Sequence, residues 1–322
     1  MKRFLKPVFW CVILSLVAWF VVRAFEKADK SFTELEFSLA ELNFGLILLS
    51  GLVYIIGLLP CWWYWRRTLF AMQQNPPMVA SLRAYYIGHL GKYVPGKALV
   101  VVLRTGLLRG KGVDSAVTAA TVFVETLTMM AVGACLAALI LAFRSESTFY
   151  VWIAVGLAVA SVLPTLPPVF RRVLRSLKIG VATEGGTEAA AGVDYKLIAT
   201  GWLAMIPCWL LFGLSMLITL AAMGPERIPA GVSISDLPYL VATVALAMVA
   251  GFLSLLPGGI GVRDLIVLEL ISLHPRFGAD VAIISAVVLR MTWLMSELVV
   301  SGILYICSLG STSGPADGPS PQ

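Results

Sequence analysis

A run of basic residues without any acidic residue points to the binding of an anion. Eight lysines and arginines lie from Arg66 to Lys111, and this stretch contains no aspartate or glutamate. Lys92 and Lys97 flank a proline-glycine pair, where a phosphate could meet both ammonium groups and backbone N–H groups freed from a helix. Attraction to anionic lipid at the membrane surface is the simpler explanation for four others: Arg66, Arg67, Arg109 and Lys111.

His89 belongs to a polar stripe beside this pair. A helix over residues 84–94 would place Tyr85, His89 and Lys92 on one face, because they are spaced i, i+4 and i+7. His89 is therefore a candidate for contact with the same anion, with a packing role as the alternative. The chain has two histidines far apart, and neither an HExxH motif nor a cysteine cluster. We accordingly expect no metal site and no cofactor.

Three charged residues lie inside apolar segments and require partners. These are Glu125, Arg290 and Glu297. A charged side chain near the bilayer centre costs about 2.5 to 3.5 kcal/mol on insertion scales. Arg290 and Glu297 share a helix face but are about 10.5 Å apart along the axis, so they do not readily pair with each other. Either each pairs with a neighbouring helix, for example Arg290 with Glu125, or they line a polar cavity whose occupant completes the pairing.

A glycine-rich stretch from Pro257 to Val262 leads into two further charged residues, Arg263 and Asp264. Asp264 suits the start of a helix, because a carboxylate there accepts hydrogen bonds from free N–H groups. Arg263 has no such explanation and could bind a phosphate. The glycines that would let the backbone approach a ligand closely are Gly258, Gly259 and Gly261.

The composition identifies the class of chain that must position these residues. Hydrophobic residues make up 59 % of the 322 positions, charged residues make up 13 %, and the mean hydropathy is +0.90. These values lie outside the range of soluble domains. Runs long enough to cross a bilayer predict an all-α, polytopic membrane helix bundle of about six to eight spans. The runs are 44–65, 115–143, 147–170, 197–225, 237–262 and 281–309.

Two proline-glycine breaks interrupt this apolar sequence, at Pro95-Gly96 and at Pro257-Gly258. Proline removes a backbone donor and glycine permits positive φ, and such breaks persist in a membrane only beside protein or water. Basic residues on both sides of the first break favour a re-entrant hairpin over a crossing helix. The second break could lie in a crossing helix or form a hairpin entered from outside. In the latter case the two hairpins would be inverted repeats.

The distribution of basic residues indicates the orientation. Lysine and arginine are enriched in cytoplasmic loops, and Lys2 and Arg3 precede the first apolar run, 8–22. This predicts a multi-pass protein of the cell (inner) membrane with a cytoplasmic amino terminus, anchored rather than cleaved at that run. The five cysteines are scattered singly and are expected to pack in the membrane, not to form disulfides.

We expect a single membrane domain over residues 1–309. It could divide into halves 1–179 and 195–309, joined by a mobile loop at 180–194. That loop is rich in Gly, Ala, Thr and Glu, a composition with no packing signal. Residues 310–322, rich in Gly, Ser and Pro, are predicted to form a disordered tail.

Several motifs carry, in order, a resemblance to a known family. They are the segment from Gly88 to Lys97 with Arg104 downstream, Val124-Glu125, the segment from Pro257 to Asp264, and Arg290. On these residues the chain resembles the transmembrane region of lysylphosphatidylglycerol synthases, meaning the flippase-like MprF amino-terminal domain and its stand-alone relatives. The family often has Glu-Arg where this chain has Glu125-Thr126, and Glu where it has Asp264.

The resemblance implies movement of a phospholipid or lipid-linked intermediate between leaflets, without the aminoacyl-transfer activity of the synthases. We therefore expect a flippase-like protein rather than an enzyme. Its expected partners are membrane lipid and lipid-synthesis enzymes, and no binding of nucleic acid is expected. Three alternatives remain open: a membrane-embedded lipid-modifying transferase, a small-solute or ion transporter, and a non-catalytic subunit of a lipid-synthesis complex.

The expected sites follow from the same residues. An anionic or zwitterionic headgroup would bind in a polar cleft at Lys92, Lys97, Arg104 and Arg263, with His89 beside it. Glu125, Arg290 and Glu297 would hold this cleft and reset it as the halves move. The breaks that permit this movement are expected at Pro95, Gly96, Pro257, Gly258, Gly259 and Gly261.

Overall fold

The computed structural model describes residues 22, 26, 33, 35–93, 98–144, 148–176, 189–254, 256, 259 and 261–310. All regular structure within these residues is helical, without a strand, so the predicted all-α bundle is confirmed. Several predicted features lie outside the described residues: the first anchor at 8–22 apart from residue 22, Pro95, Gly96, Lys97, Pro257, Gly258, most of the predicted loop at 180–194, and the tail after residue 310.

The described residues form eleven α-helices, which we number in chain order. They are α1 (Phe44–Ala71), α2 (Met78–His89), α3 (Ala98–Leu108), α4 (Ser115–Phe143), α5 (Thr148–Val162), α6 (Pro167–Ser176), α7 (Tyr195–Ala221), α8 (Gly224–Arg227), α9 (Leu237–Leu253), α10 (Val262–Ser272) and α11 (Ala279–Gly310).

Five of these helices are long and apolar enough to cross a membrane. They are α1, α4, α7, α9 together with the 3-10 turn before it, and α11. Three of them begin at a side chain that caps the first turn. Asn43, Asp114 and Asp194 accept hydrogen bonds from the N–H groups of Leu46, Val117 and Leu197. Such caps satisfy N–H groups that have no partner within the helix.

The apolar run at 147–170, expected as one span, is divided in the structure. Helix α5 ends at Val162, a 3-10 turn covers Leu163–Thr165, and α6 begins at Pro167. Proline lacks the N–H group that a helix interior needs and clashes with the preceding turn. Pro164 and Pro167 therefore separate α5 from α6. The total number of spans stays a prediction.

Helices α1 and α7 pack against each other and run antiparallel. The N–H of Asn43, before α1, donates to the carbonyl of Ala222, after α7. At the other end Gly192, before α7, lies against the carbonyl of Ala71. Between these ends the Sγ atoms of Cys61 and Cys208 are 3.1 Å apart. Both cysteines are reduced and buried, as predicted for cysteines that pack in the membrane.

A hydroxyl cluster joins this pair of helices to α11. Ser50 Oγ lies 2.8 Å from both Ser215 Oγ and Thr219 Oγ1. The indole N–H of Trp293 on α11 donates to Ser215 Oγ at 2.9 Å. These buried polar groups satisfy one another, which fixes α11 against the α1–α7 pair.

Helices α2 and α3 form the first broken pair and pack closely together. A Cβ atom at Gly91 would lie 2.5 Å from Val100 N, and one at Gly88 would lie 2.5 Å from Arg104 Cγ. The backbones approach this closely only because glycine has no side chain. The two outer ends of the pair also lie together, since Asp114 N, after α3, donates to Gln74 Oε1, before α2.

Helices α9 and α10 form the second broken pair. Tyr239 at the start of α9 donates its hydroxyl to the carbonyl of Leu270 near the end of α10, at 2.6 Å. The outer ends of this pair therefore lie together as well. At the tip, Gly259 has a φ of +69° and packs against Gly251, where a Cβ on Gly259 would lie 2.9 Å from the Gly251 Cα. Glycine is required there both for the conformation and for the space.

The two broken pairs open toward opposite ends of the bundle. The first pair follows the carboxyl end of α1, and the second follows the carboxyl end of α7. Because α1 and α7 are antiparallel, these ends lie at opposite faces of the protein. An inverted repeat requires this arrangement. The depth of the two pairs in a bilayer stays a prediction.

Gly91→Ala should lower the stability of the protein, because the new methyl group meets backbone atoms of α3 that cannot rotate away. Overpacking of this kind costs about 1 to 3 kcal/mol, which a thermal unfolding measurement in detergent would detect. Gly106→Ala on α3 is the matched control, since a Cβ there meets nothing within 4 Å. A melting temperature that is equal in the two variants would contradict the close packing of α2 on α3.

Candidate functional site

Helix α11 carries one charged residue to each broken pair. Glu297 lies against Lys92 at the tip of the first pair, with 2.5 Å between Lys92 Nζ and Glu297 Oε1. Arg290, two turns earlier, donates to both carboxylate oxygens of Asp264 on α10, at 3.0 and 2.8 Å. The prediction that these two residues do not pair with each other is therefore correct. The suggested pairing of Arg290 with Glu125 is wrong.

The Lys92 ammonium group is fully engaged. Its three N–H bonds match three neighbours: Glu297 Oε1, Tyr54 Oη at 3.1 Å and His89 Nε2 at 3.1 Å. The Tyr54 hydroxyl also donates to Glu297 Oε1. An ammonium group has only donors, so the His89 nitrogen that faces it must accept. His89 is thus a neutral imidazole with its proton on Nδ1.

Arg263 differs from the other cations near this site. Its side chain makes no hydrogen bond or ion pair with any residue that the structure describes, and its guanidinium lies over the Trp293 ring at 4.6 Å. Trp293 in turn stacks on Tyr54, with ring centroids 4.1 Å apart. The Tyr54 hydroxyl lies 3.1 Å from Lys92 Nζ at the tip of the first pair. The tips of the two broken pairs therefore meet here, and Arg263 has no carboxylate partner in the part of the chain that the structure describes.

The charges of this cluster do not cancel. Lys92, Arg263 and Arg290 are positive, and Asp264 and Glu297 are negative, which leaves an excess of one positive charge. The apolar surroundings strengthen electrostatic interactions relative to water. The arrangement favours an anion beside Arg263. We call these five residues the tip cluster.

Arg104 and Glu125 form a separate buried pair beside the tip cluster. Arg104 Nη1 lies 2.9 Å from Glu125 Oε2, and both side chains are at most 3 % exposed. Tyr85 links the pair to the tip cluster, because its hydroxyl donates to Glu125 Oε1 and its ring stacks on His89. Arg104 was expected to contact the headgroup in the cleft, but it forms an ion pair with Glu125 instead. The expected network of Glu125, Arg290 and Glu297 is therefore divided, because Glu125 belongs to this pair and the other two belong to the tip cluster.

Two aromatic residues of the site were not anticipated from the sequence. Tyr54 and Trp293 lie in long apolar runs, where an aromatic residue is normally a packing residue. Their polar atoms distinguish them in the structure, because each makes a hydrogen bond to a residue on another helix. Tyr54 lies about 15 Å along α1 from Phe44, which places the tip cluster well inside the bundle.

Two of the described loops make charged contacts of their own. His274, between α10 and α11, is 3.7 Å from Asp236 and stacks on Phe277. Burial lowers its pKa, against the opposing effect of Asp236. Glu41, before α1, has a lowered pKa because Ser38 N–H and then Arg227 stabilise its carboxylate. Among the described residues, no group of three or more His, Cys, Asp and Glu side chains could hold a metal ion.

The fold and the charged interior define a multi-pass membrane protein built from broken and continuous helices. A sequence profile described as "Lysylphosphatidylglycerol synthase TM region" matches residues 8–299. The chain belongs to this family, as its motifs predicted. None of the curated proteins compared with the chain matches it.

Arg104→Met should destabilise the protein strongly, because it leaves Glu125 charged and buried. Loss of one partner of a buried ion pair costs about 3 to 5 kcal/mol. The double variant Arg104→Met with Glu125→Gln removes both charges, and we expect it to regain most of that loss in a thermal or denaturant unfolding experiment. A double variant that is as unstable as the sum of the two single variants would show that the residues act independently.

Proposed function

We propose that this protein moves a phospholipid or lipid-linked intermediate between the leaflets of the cell membrane. The observation that carries this proposal is Arg263, which lies where the two broken pairs meet and has no carboxylate partner among the described residues. A phosphate in the headgroup supplies the acceptor oxygens that the guanidinium lacks. The acyl chains stay in the surrounding lipid while the headgroup crosses the protein interior.

The opposite openings of the two broken pairs support a path for the headgroup. One pair leads from each face of the bundle to the tip cluster, so a headgroup at Arg263 lies between the two faces. In our proposal the headgroup phosphate then displaces one partner of Lys92, so that it binds Lys92 and Arg263 together. The two halves, 1–179 and 195–309, move relative to each other around this site, as in transporters with inverted repeats.

The transferase alternative is less well supported by the site. Transfer to a lipid requires a general base beside an acceptor. His89 accepts from Lys92 and Glu125 accepts from Arg104 and Tyr85, so both candidate bases are already engaged. We therefore propose transport without a chemical step by this chain. Lipid-synthesis enzymes are proposed partners, because they would supply or consume the transported lipid.

Arg263→Gln should slow lipid transfer in reconstituted vesicles. Loss of a hydrogen bond to a charged group costs about 1.5 to 3 kcal/mol, so we expect at least about a tenfold lower rate of transfer of fluorescent phosphatidylglycerol between leaflets. The assay follows quenching of the outer-leaflet probe by dithionite. Arg109→Gln is the matched control, because Arg109 is an exposed arginine after α3, and its rate should equal that of the wild type.

The unmutated protein provides a second test of this proposal. Wild-type vesicles that transfer lipid no faster than protein-free vesicles, for phosphatidylglycerol and for phosphatidylethanolamine, would argue against lipid transport. Unaltered transfer by a folded Arg263→Gln variant would instead keep the transport function and remove Arg263 as the headgroup contact.

The proposed orientation can be tested by labelling engineered cysteines in a variant without the five native ones. We expect Lys111→Cys, after the first broken pair, to react with an impermeant maleimide only from the cytoplasmic side. Arg67→Cys should behave in the same way. Arg276→Cys, after the second pair, should react only from outside. Labelling of position 111 from outside while position 67 reacts from the cytoplasmic side would contradict the first re-entrant hairpin.

A further inference from the structure

The two oxygens of the Glu297 carboxylate have different surroundings. Oε1 accepts from Lys92 and from Tyr54. Oε2 is buried and has no hydrogen-bond partner among the residues that the structure describes. The side chain is only 1 % exposed. A buried carboxylate oxygen normally has a partner, so Oε2 is a vacant acceptor inside the tip cluster.

The negative charge of Glu297 depends on Lys92. Lys92 is the one cation that the described residues place within hydrogen-bond distance of this carboxylate, and His89, with Nε2 at 3.7 Å, is neutral. Among the described residues, several titratable and charged groups face the cluster. They are Tyr54 on α1, His89 on α2, Lys92 and Tyr93 in the 3-10 turn, Arg263 and Asp264 on α10, and Arg290 on α11.

A phosphate that binds Lys92 must compete with Glu297. All three N–H bonds of the ammonium group already have partners, so a phosphate gains a hydrogen bond from Lys92 only by displacing one of them. When Glu297 is the displaced partner, its carboxylate keeps the neighbouring hydroxyls of Tyr54 and Tyr93 but loses its cation. Burial without a counter-charge favours the neutral form of a carboxylic acid.

We propose that Glu297 takes up a proton when a phosphate headgroup binds at Lys92 and Arg263, and releases it when the headgroup leaves. This inference rests on the proposed function, and it names a proton as the second ligand of the same site. The proton adds to the carboxylate from solvent, the Lys92–Glu297 ion pair is replaced by a contact of Lys92 with the phosphate, and no other covalent bond forms or breaks.

The proposed coupling leaves the net charge of the tip cluster constant. The cluster carries an excess of one positive charge when it is empty. A phosphodiester brings one negative charge and the proton brings one positive charge, so the total is the same before and after binding. The ion pair between Lys92 and Glu297 is thus replaced by contacts with the phosphate, and the net charge of the cluster does not change. A proton gradient across the membrane then supplies a direction for lipid movement.

The test is a calorimetric titration of the full-length protein in detergent with dihexanoyl phosphatidylglycerol. A phosphodiester lacks the second ionisation of a phosphate monoester, so the charge of this probe is constant across neutral pH. Titrations in two buffers with different ionisation enthalpies measure the number of protons taken up. For the wild type we expect proton uptake, and an affinity that falls by up to about tenfold for each unit of rising pH.

Glu297→Gln is the decisive variant, because glutamine resembles the protonated acid and cannot titrate. It should bind the lipid without proton uptake and with an affinity that does not depend on pH. Glu269→Gln on α10 is the matched control, since Glu269 is exposed, and it should keep the wild-type dependence. His89→Gln should also keep the dependence, although its affinity is expected to change.

Each other outcome has a defined meaning. Wild-type binding without proton uptake, or uptake that persists in Glu297→Gln, would overturn the coupling and leave the proposed lipid site intact. An absence of lipid binding at every pH would remove both proposals. If Glu297→Gln does not fold, infrared difference spectra of the wild type give the answer. Addition of lipid should produce a protonated-carboxyl band, and its absence would overturn the inference.

Discussion

The arrangement of the helices depends on two charges that one long helix carries into an apolar interior. Arg290 and Glu297 lie on the same face of α11 but too far apart to neutralise each other. Each charge is therefore satisfied by a different broken pair, Arg290 by Asp264 and Glu297 by Lys92. Helix α11 thus holds the tips of both pairs at neighbouring positions. The tip cluster exists because one helix, α11, forms an ion pair with each of the two broken pairs.

The sequence was sufficient to predict the features that depend on single segments. Long uncharged runs predicted the helical bundle, and Gly259 does adopt the positive φ expected of a break. The spacing of Arg290 and Glu297 correctly predicted that each needs a partner on another helix. Likewise, Tyr85, His89 and Lys92 do lie together at the charged interior. The predicted helix over 84–94 is wrong in its bounds, because the α-helix ends at His89 and Lys92 lies in the 3-10 turn that follows.

The choice of partners could not be predicted in this way, because it depends on how distant helices pack. Asp264 has a sufficient local explanation as a residue at a helix start, which concealed its pairing with Arg290. Arg104 follows a motif rich in basic residues and looked like a ligand contact, whereas the close approach of α2 and α3 at Gly88 places it beside Glu125. A charged residue inside an apolar segment indicates that a partner residue exists, but its position in the sequence does not identify that residue.

The antiparallel contact of α1 and α7 has a mechanical consequence. Each helix contains one proline directly before the cysteine at which they meet, Pro60 before Cys61 and Pro207 before Cys208. A proline inside a helix removes one backbone hydrogen bond of the preceding turn. Both central helices are thus most easily bent at the same depth, so a tilt of one can be followed by the other. The sulfur contact lies at this shared depth.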